Sequence, residues 1–177
     1  MELIKKFSWP ATFTRGGRFP ETVQCGDIRT RGVVTFADGT QLFIGCEYNP
    51  RNPYTLLVYN SISEIMRIED VTKDDREVGI GRSYRVSSAN QVIGHIKTIG
   101  TRLFRGGFAG TLMLYYGDRT EYIRKVYHGK IKSLGLNVYA NYWQTKMTAE
   151  KIADSDIDEL LLLAVCTELW FGAYAEN

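Results

Sequence analysis

The residues with the clearest capacity for catalysis are His95 and His128, the two histidines of the chain. His95 lies in a predicted strand and His128 in a predicted turn, and the sequence places no serine or cysteine where it would pair with either. The chain has no G-x-S-x-G, HExxH or Walker motif, and Gly79-Ile80-Gly81 lacks the third glycine of a dinucleotide loop. The sequence therefore predicts no catalytic residue, no cofactor and no enzyme.

Three aspartates have the spacing of a calcium-binding loop. Asp154, Asp156 and Asp158 occupy alternate positions, as the first ligands of such a loop do. The sixth position is Glu159 where glycine is needed, and the twelfth is Val165 where a bidentate glutamate is needed. We interpret the aspartates as helix-capping residues and predict no metal site.

The three cysteines are scattered and odd in number. Cys25, Cys46 and Cys166 form no CxxC pair and have no histidine at ligand spacing. We predict three reduced thiols, mostly buried, in a reducing compartment. The N-terminal residues lack the apolar stretch of a signal peptide, so we expect a cytoplasmic protein.

Positive charge is concentrated in one part of the chain. Between residues 102 and 132 there are seven basic residues against two acids, whereas from residue 133 to the end there are two bases and seven acids. Solvated strand faces would explain such a run, and so would a surface for anionic lipid headgroups or phosphate. The candidate ligand-binding residues are Arg102, Arg105, Arg124, Lys125, Lys130 and Lys132.

Length and composition indicate one domain covering residues 1–177. The chain is 44% apolar and 24% charged, which is ordinary for a globular protein. Its net charge of +2 does not favour nucleic acid as a partner.

The elements that must position the basic residues are predicted to be β-hairpins. Residues 32–48 form two β-rich runs around Asp38-Gly39, a favoured type I′ turn pair. Three further units begin 28 residues apart, at Leu56, Tyr84 and Leu112, and each has a strand, a small polar turn and a second strand. A further strand pair is predicted at residues 136–143 and 146–152.

The C-terminal segment is predicted to be a buried helix. Residues 160–166 are apolar without a break, and we expect the helix to run from Asp156 to Phe171, with Ser155 as N-cap, Asp158 as its capping-box partner and Gly172 as its stop. Its apolar residues cover nearly the whole circumference, so it must be enclosed. It is too short and too charged to span a membrane, so we predict no transmembrane segment. A barrel of about twelve strands is wide enough to hold it.

The hairpin units, especially YRVSSANQVIGHIKT, and the D-x-D-E-L-L-L-L-A-V helix resemble the tubby C-terminal-like superfamily, which includes LURP-one-related proteins and phospholipid scramblases. The resemblance spans roughly residues 54–171 and rests on the periodic pattern and the helix. It implies a mainly β fold: a closed or nearly closed antiparallel barrel of about twelve strands around a hydrophobic C-terminal helix. For some members it also implies association with phosphoinositides or other anionic phospholipids.

Three functions are compatible with the sequence. The first is a non-enzymatic binding domain for anionic phospholipid headgroups, peripheral at a membrane. The second is an intracellular structural or protein-interaction module without a lipid ligand. The third, an enzyme with a site at the barrel mouth, would need converging polar groups that the sequence does not indicate.

Overall fold

We analysed a computed structural model of the chain. It describes residues 6–16, 29–47, 55–73, 82–103, 107–125, 129–133, 136–140 and 146–171. Within these ranges the side chains of residues 29–30, 98–103, 107–112, 121–125, 129–133 and 140 are not described.

The described residues form a β protein with one C-terminal helix. The first six strands are β1 (Ala11–Arg15), β2 (Arg29–Phe36), β3 (Gln41–Glu47), β4 (Thr55–Tyr59), β5 (Glu64–Asp70) and β6 (Arg82–Ser88). The others are β7 (Gln91–Leu103), β8 (Gly107–Tyr116), β9 (Arg119–Lys125), β10 (Gly129–Ser133), β11 (Leu136–Ala140) and β12 (Lys146–Lys151). The helix α1 covers Glu159–Phe171.

The strands form one antiparallel meander. The twelve-stranded sheet has the order β10-β11-β12-β1-β2-β3-β4-β5-β6-β7-β8-β9. Every strand therefore pairs with its neighbour in the chain except β9 with β10, and β1 pairs with β12. Hydrogen bonds do not close this sheet, because β9 and β10 are its two edges.

Turn chemistry explains the hairpins. Gly39 has φ +84°, and Asp38 accepts a 2.8 Å hydrogen bond from the backbone N–H of Thr40. Hydrogen bonds from Thr40 and from the Ser8 side chain lower the pKa of the Asp38 carboxyl group. The next tight turn is made by Ala89 and Asn90, which both have positive φ, as type I′ turns require. The β2–β3 ladder confirms the predicted hairpin at residues 32–48 for its described residues. The predicted type I′ turn is wrong, because that turn needs positive φ at both central residues and only Gly39 of the Asp38-Gly39 pair has it.

The three repeated units are confirmed as the hairpins β4–β5, β6–β7 and β8–β9. Their turns contain small polar residues: Asn60 Oδ1 accepts hydrogen bonds from the N–H groups of Ile62 and Ser63, and Gly117 has φ +54°. The predicted C-terminal strand pair is also confirmed, as β11 and β12.

The helix is buried against the inner face of the curved sheet. All twelve residues from Leu160 to Phe171 are buried, including the polar Thr167 and Glu168. Strands from distant parts of the sheet reach it, since Gly32 on β2 lies against Phe171 and Gly94 on β7 lies against Leu161. A helix without a polar face has no side that water could solvate at low cost, so enclosure by the sheet is its stable environment. The predicted enclosure of the helix is confirmed.

The predicted start of the helix is wrong by three residues. The helix begins at Glu159, and Asp158 is its N-cap, with Oδ1 accepting from the N–H groups of Leu160 at 2.9 Å and Leu161 at 3.3 Å. Ser155 instead accepts a 3.4 Å bond from Ile157 in the preceding turn. Asp158 has the better position because its carboxylate reaches two free N–H groups at the positive end of the helix dipole. The predicted stop, Gly172, lies outside the described residues.

Asp158→Ala is expected to lower the free energy of unfolding by about 1 kcal/mol, the usual cost of losing an N-cap. Ser155→Ala should cost less, because its hydroxyl bonds outside the helix. Urea unfolding of the two variants measures both values. A larger loss for Ser155→Ala than for Asp158→Ala would show that Ser155 is the cap.

Within the part of the chain that the structure describes, no helix combines the length and apolar character that crossing a membrane requires.

Candidate functional site

Four of the six predicted basic residues lie on the two edge strands. Arg124 pairs with Thr111 and Lys125 with Gly110, both through the β8–β9 ladder. On the other edge, the β10–β11 ladder pairs Lys130 with Tyr139 and Lys132 with Asn137. Arg102 is on β7 opposite Phe108, and Arg105 lies outside the described residues. The grouping of all six into one surface stays a prediction.

We call the space between β9 and β10 the seam. Three residues connect Lys125 to Gly129, so covalent geometry keeps their Cα atoms within about 15 Å. Cα atoms of β9 and β10 approach within 8 Å of each other. Paired strands would lie about 4.8 Å apart. The two edges are therefore neighbours in space, although no ladder joins them.

The seam strands have an unusual charge balance. β9 (RTEYIRK) and β10 (GKIKS) together contain five basic residues and one acid, a net charge of +4. Each also has one edge without a partner strand. Backbone N–H groups on such an edge can donate to a ligand.

The register divides the β9 positions between two rows, because residues two apart on a strand share a face of the sheet. Leu114 on β8 is fully buried in the core. Ile123 pairs with Leu112, which is two positions from Leu114, so the position of Ile123 belongs to the same row. Arg124 pairs with Thr111 and belongs to the alternate row.

The β10 positions follow the same alternation. Ile131 pairs with Val138, which is 1% exposed, and Lys130 pairs with Tyr139, which is 40% exposed. Lys132 is two positions from Lys130 and shares its row. The register positions of Arg124, Lys130 and Lys132 therefore belong to the rows that alternate with those of the buried residues, and we call these three residues the seam cations.

Arginines on β5 and β6 contact carboxylates directly. Arg67 on β5 forms ion pairs with Glu47 at 3.0 Å and Glu64 at 2.9 Å, and the Glu64 hydrogen bond chiefly raises its pKa. Arg85 on β6 pairs with Glu69 at 2.9 Å. Strands β3 and β5 thus supply carboxylate partners for these two arginines, whereas the sequence of the seam strands contains only Glu121 as an acid.

Arg119, at the start of β9, has a structural role that the sequence did not indicate. It forms an ion pair with Asp156, 37 residues away in the turn before the helix. The hydrogen bond from Arg119 lowers the pKa of Asp156. A second pair nearby joins Lys151 to Glu159 at 3.1 Å, and Glu159 also accepts from the N–H of Phe7. These contacts hold the N-terminal end of the helix to β9, β12 and the N-terminal segment.

The residues considered for catalysis or metal binding have other places in the described structure or lie outside it. His95 is on β7 between Arg85 and Tyr115, and His128 lies outside the described residues. Asp156 and Asp158 serve the ion pair and the helix cap described above. Across the described ranges, no group of three or more histidine, cysteine or acidic residues could hold a metal ion.

Two cysteines are free and buried, as predicted, and Cys25 lies outside the described residues. Burial raises the pKa of the Cys166 thiol. The thiolate is the reactive form of cysteine, so this position is unsuited to nucleophilic chemistry.

No protein-family model, curated protein or solved structure matches this chain.

Proposed function

We propose that this chain is a non-enzymatic binding domain that holds the phosphorylated headgroups of anionic phospholipids at the β9–β10 seam. One observation carries the proposal: four of the six predicted basic residues lie on the two strands that border the missing ladder. Arg102, on the neighbouring β7–β8 hairpin, and Arg105 would extend the basic surface.

The chemistry of the seam strands supports an anionic ligand. Lysine and arginine donate charge-assisted hydrogen bonds to phosphate, and each contributes about 1 kcal/mol near an anionic bilayer. Three seam cations would therefore contribute about 3 kcal/mol to association. Neutral lipid would gain none of this, so binding should depend on lipid charge and weaken with salt.

The arrangement of the strands supports the fold that the proposal assumes, a nearly closed barrel of the tubby-like kind. Eleven ladders join the twelve strands in chain order, with β1 on β12, and the C-terminal helix is buried among them. A twelfth ladder between β9 and β10 would complete a barrel. The proposed family also includes members that associate with phosphoinositides, which agrees with the ligand proposed here.

Vesicle flotation tests the function. The protein should float with phosphatidylcholine vesicles that contain phosphatidylserine or phosphatidylinositol bisphosphate, and it should be released as salt rises. The triple variant Arg124→Gln/Lys130→Gln/Lys132→Gln should lose about 100-fold in vesicle affinity, which corresponds to about 3 kcal/mol.

The matched control removes the same charge elsewhere. Lys6, Lys73 and Lys146 are exposed and lie outside the seam strands, so Lys6→Gln/Lys73→Gln/Lys146→Gln should retain much more of the affinity. Equal losses in the two triple variants would show that net charge, and not the seam, determines binding. The absence of flotation at low salt would refute lipid binding altogether.

The unpaired edges favour a second candidate, a protein-interaction module without a lipid ligand. A partner could add a strand to β9 or β10 through main-chain hydrogen bonds. Such a partner would bind in the absence of vesicles and would depend less on salt than headgroup binding does. Titration with an extended peptide of zero net charge, without vesicles and at low and high salt, distinguishes the two functions, because main-chain pairing would persist at high salt and headgroup binding would not.

A further inference from the structure

We propose that a phosphate anion bound across the seam pairs β9 with β10 and so closes the barrel. The inference rests on the proposed function, since it assigns a structural consequence to headgroup binding at the same strands. Two observations lead to it: the register of the flanking ladders, and the charges that a β9–β10 ladder would bring together.

The length of the connection between the strands suggests one register for such a ladder. Three residues separate Lys125 from Gly129, and three-residue loops are common in β-hairpins. With Lys125 opposite Gly129, Arg124 would lie opposite Lys130 and Ile123 opposite Ile131.

The existing ladders are compatible with this register. β9 is fixed by β8 and β10 by β11, and the two ladders place Ile123 and Ile131 in rows that contain buried residues. They place Arg124 and Lys130 together in the alternate rows. The predicted pairing therefore continues the inward and outward alternation of the sheet across the seam, and no strand would have to rotate.

Charge opposes the pairing. Like charges directly opposite on neighbouring strands are destabilising, and Arg124 would face Lys130, with Lys132 on the diagonal. Three cations would thus converge on the outward face of a closed seam. This repulsion would disfavour the ladder between β9 and β10, the two described strands that the meander leaves unpaired.

A multivalent anion bound between the seam cations would offset their mutual repulsion. A phosphate group offers several acceptor oxygens to lysine and arginine, so it can bridge cations on both strands. Its binding would be coupled to closure, because the closed seam brings the seam cations together and the open seam separates them. The ligand chemistry is a phosphate with two or more negative charges, either on a lipid headgroup or free in solution.

The first test replaces the anion with a side chain. Lys130→Glu puts a carboxylate opposite Arg124 and should close the seam without ligand. Amide hydrogen exchange in residues 121–125 and 129–133 should slow about fivefold relative to the unchanged protein. Lys146→Glu makes the same change in charge at an exposed position of β12, outside the seam, and should leave that exchange unchanged.

Two outcomes of this test would overturn the inference. Exchange in Lys130→Glu equal to that of the unchanged protein would show that charge does not hold the seam open. Equal slowing in Lys130→Glu and Lys146→Glu would show that net charge, and not the cross-strand pair, controls the seam. Exchange in β4, residues 55–59, is the internal reference because this strand is paired on both sides.

The second test uses the unchanged protein, so it does not depend on a variant that folds. Pyrophosphate should slow exchange in residues 121–125 and 129–133, and so should phosphatidylcholine vesicles that contain phosphatidylinositol bisphosphate. Slowing by the vesicles but not by pyrophosphate would assign the phosphate to a lipid. Slowing by pyrophosphate but not by vesicles would assign it to a soluble ligand and would count against the proposed lipid function.

The failure of the inference can be told from the failure of the proposed function. Flotation with anionic vesicles without slower exchange at the seam would leave headgroup binding standing and would overturn closure. No slowing with either pyrophosphate or vesicles would overturn closure whatever the flotation result.

Discussion

Leu163→Asp is expected to prevent folding. Leu163 is fully buried in the middle of α1, and the helix is buried on all sides, so the new side chain has no route to water. Truncation of a buried leucine costs about 2–5 kcal/mol, and an unpaired carboxylate in the core adds a further penalty of several kcal/mol. The sum approaches the whole stability of a domain, which is about 5–15 kcal/mol.

Circular dichroism and thermal unfolding measure this effect. The variant should show no cooperative transition, whereas Leu163→Met, which keeps the volume, should lose less than about 1.5 kcal/mol. Ile62→Asp introduces the same charge at a residue that is 80% exposed, and it should change stability by less than about 0.5 kcal/mol. A folded Leu163→Asp protein with a sharp transition would contradict the enclosure of the helix.

Gly32→Ala is expected to have the second largest effect, because Gly32 is where β2 meets the C-terminal end of the helix. A Cβ atom there would lie less than 3.0 Å from both the Phe171 ring and the backbone oxygen of Thr14. The ring is held by the core, and the oxygen belongs to the neighbouring strand, so neither can move alone. We expect a loss of about 3 kcal/mol, at the upper end for overpacking, and a melting temperature about 10 °C lower.

Gly117→Ala is the matched control for the glycine substitution. Gly117 has φ +54° and no neighbouring atom within 4 Å of an added Cβ, so only backbone strain of about 1 kcal/mol applies. Melting temperatures of the two variants separate steric from conformational cost. Similar losses would mean that β2 can move away from the helix, and would contradict the tight contact between Gly32 and Phe171.

Much of the fold could be predicted because its signals are local. Gly39 and Gly117 supply the positive φ that their turns need, and glycine adopts this conformation independently of the rest of the chain. The helix could be predicted from one continuous apolar segment, since a helix hydrophobic on every side must be enclosed. Its start could not, because Ser155 and Asp158 are both good caps and the choice depends on where the preceding turn ends.

The candidate site was predicted only as a set of residues. Charge counting identified Arg124, Lys125, Lys130 and Lys132, but gave no reason to place them on edge strands. It also included Arg119 in the same basic run, whereas the structure pairs Arg119 with Asp156. The pairing joins two residues that are far apart in sequence, and no local pattern predicts such a contact.

By itself, the sequence determined the hairpins, the mainly β character and the buried helix, because each depends on interactions within a few residues or on a continuous run of apolar side chains. Only the tertiary structure decided which ladder is absent. Which two strands become the edges depends on how the eleven ladders curve around the helix. That curvature is a property of the whole sheet. The basic residues become a candidate site because the sheet leaves β9 and β10 as its two edges and their Cα atoms approach within 8 Å.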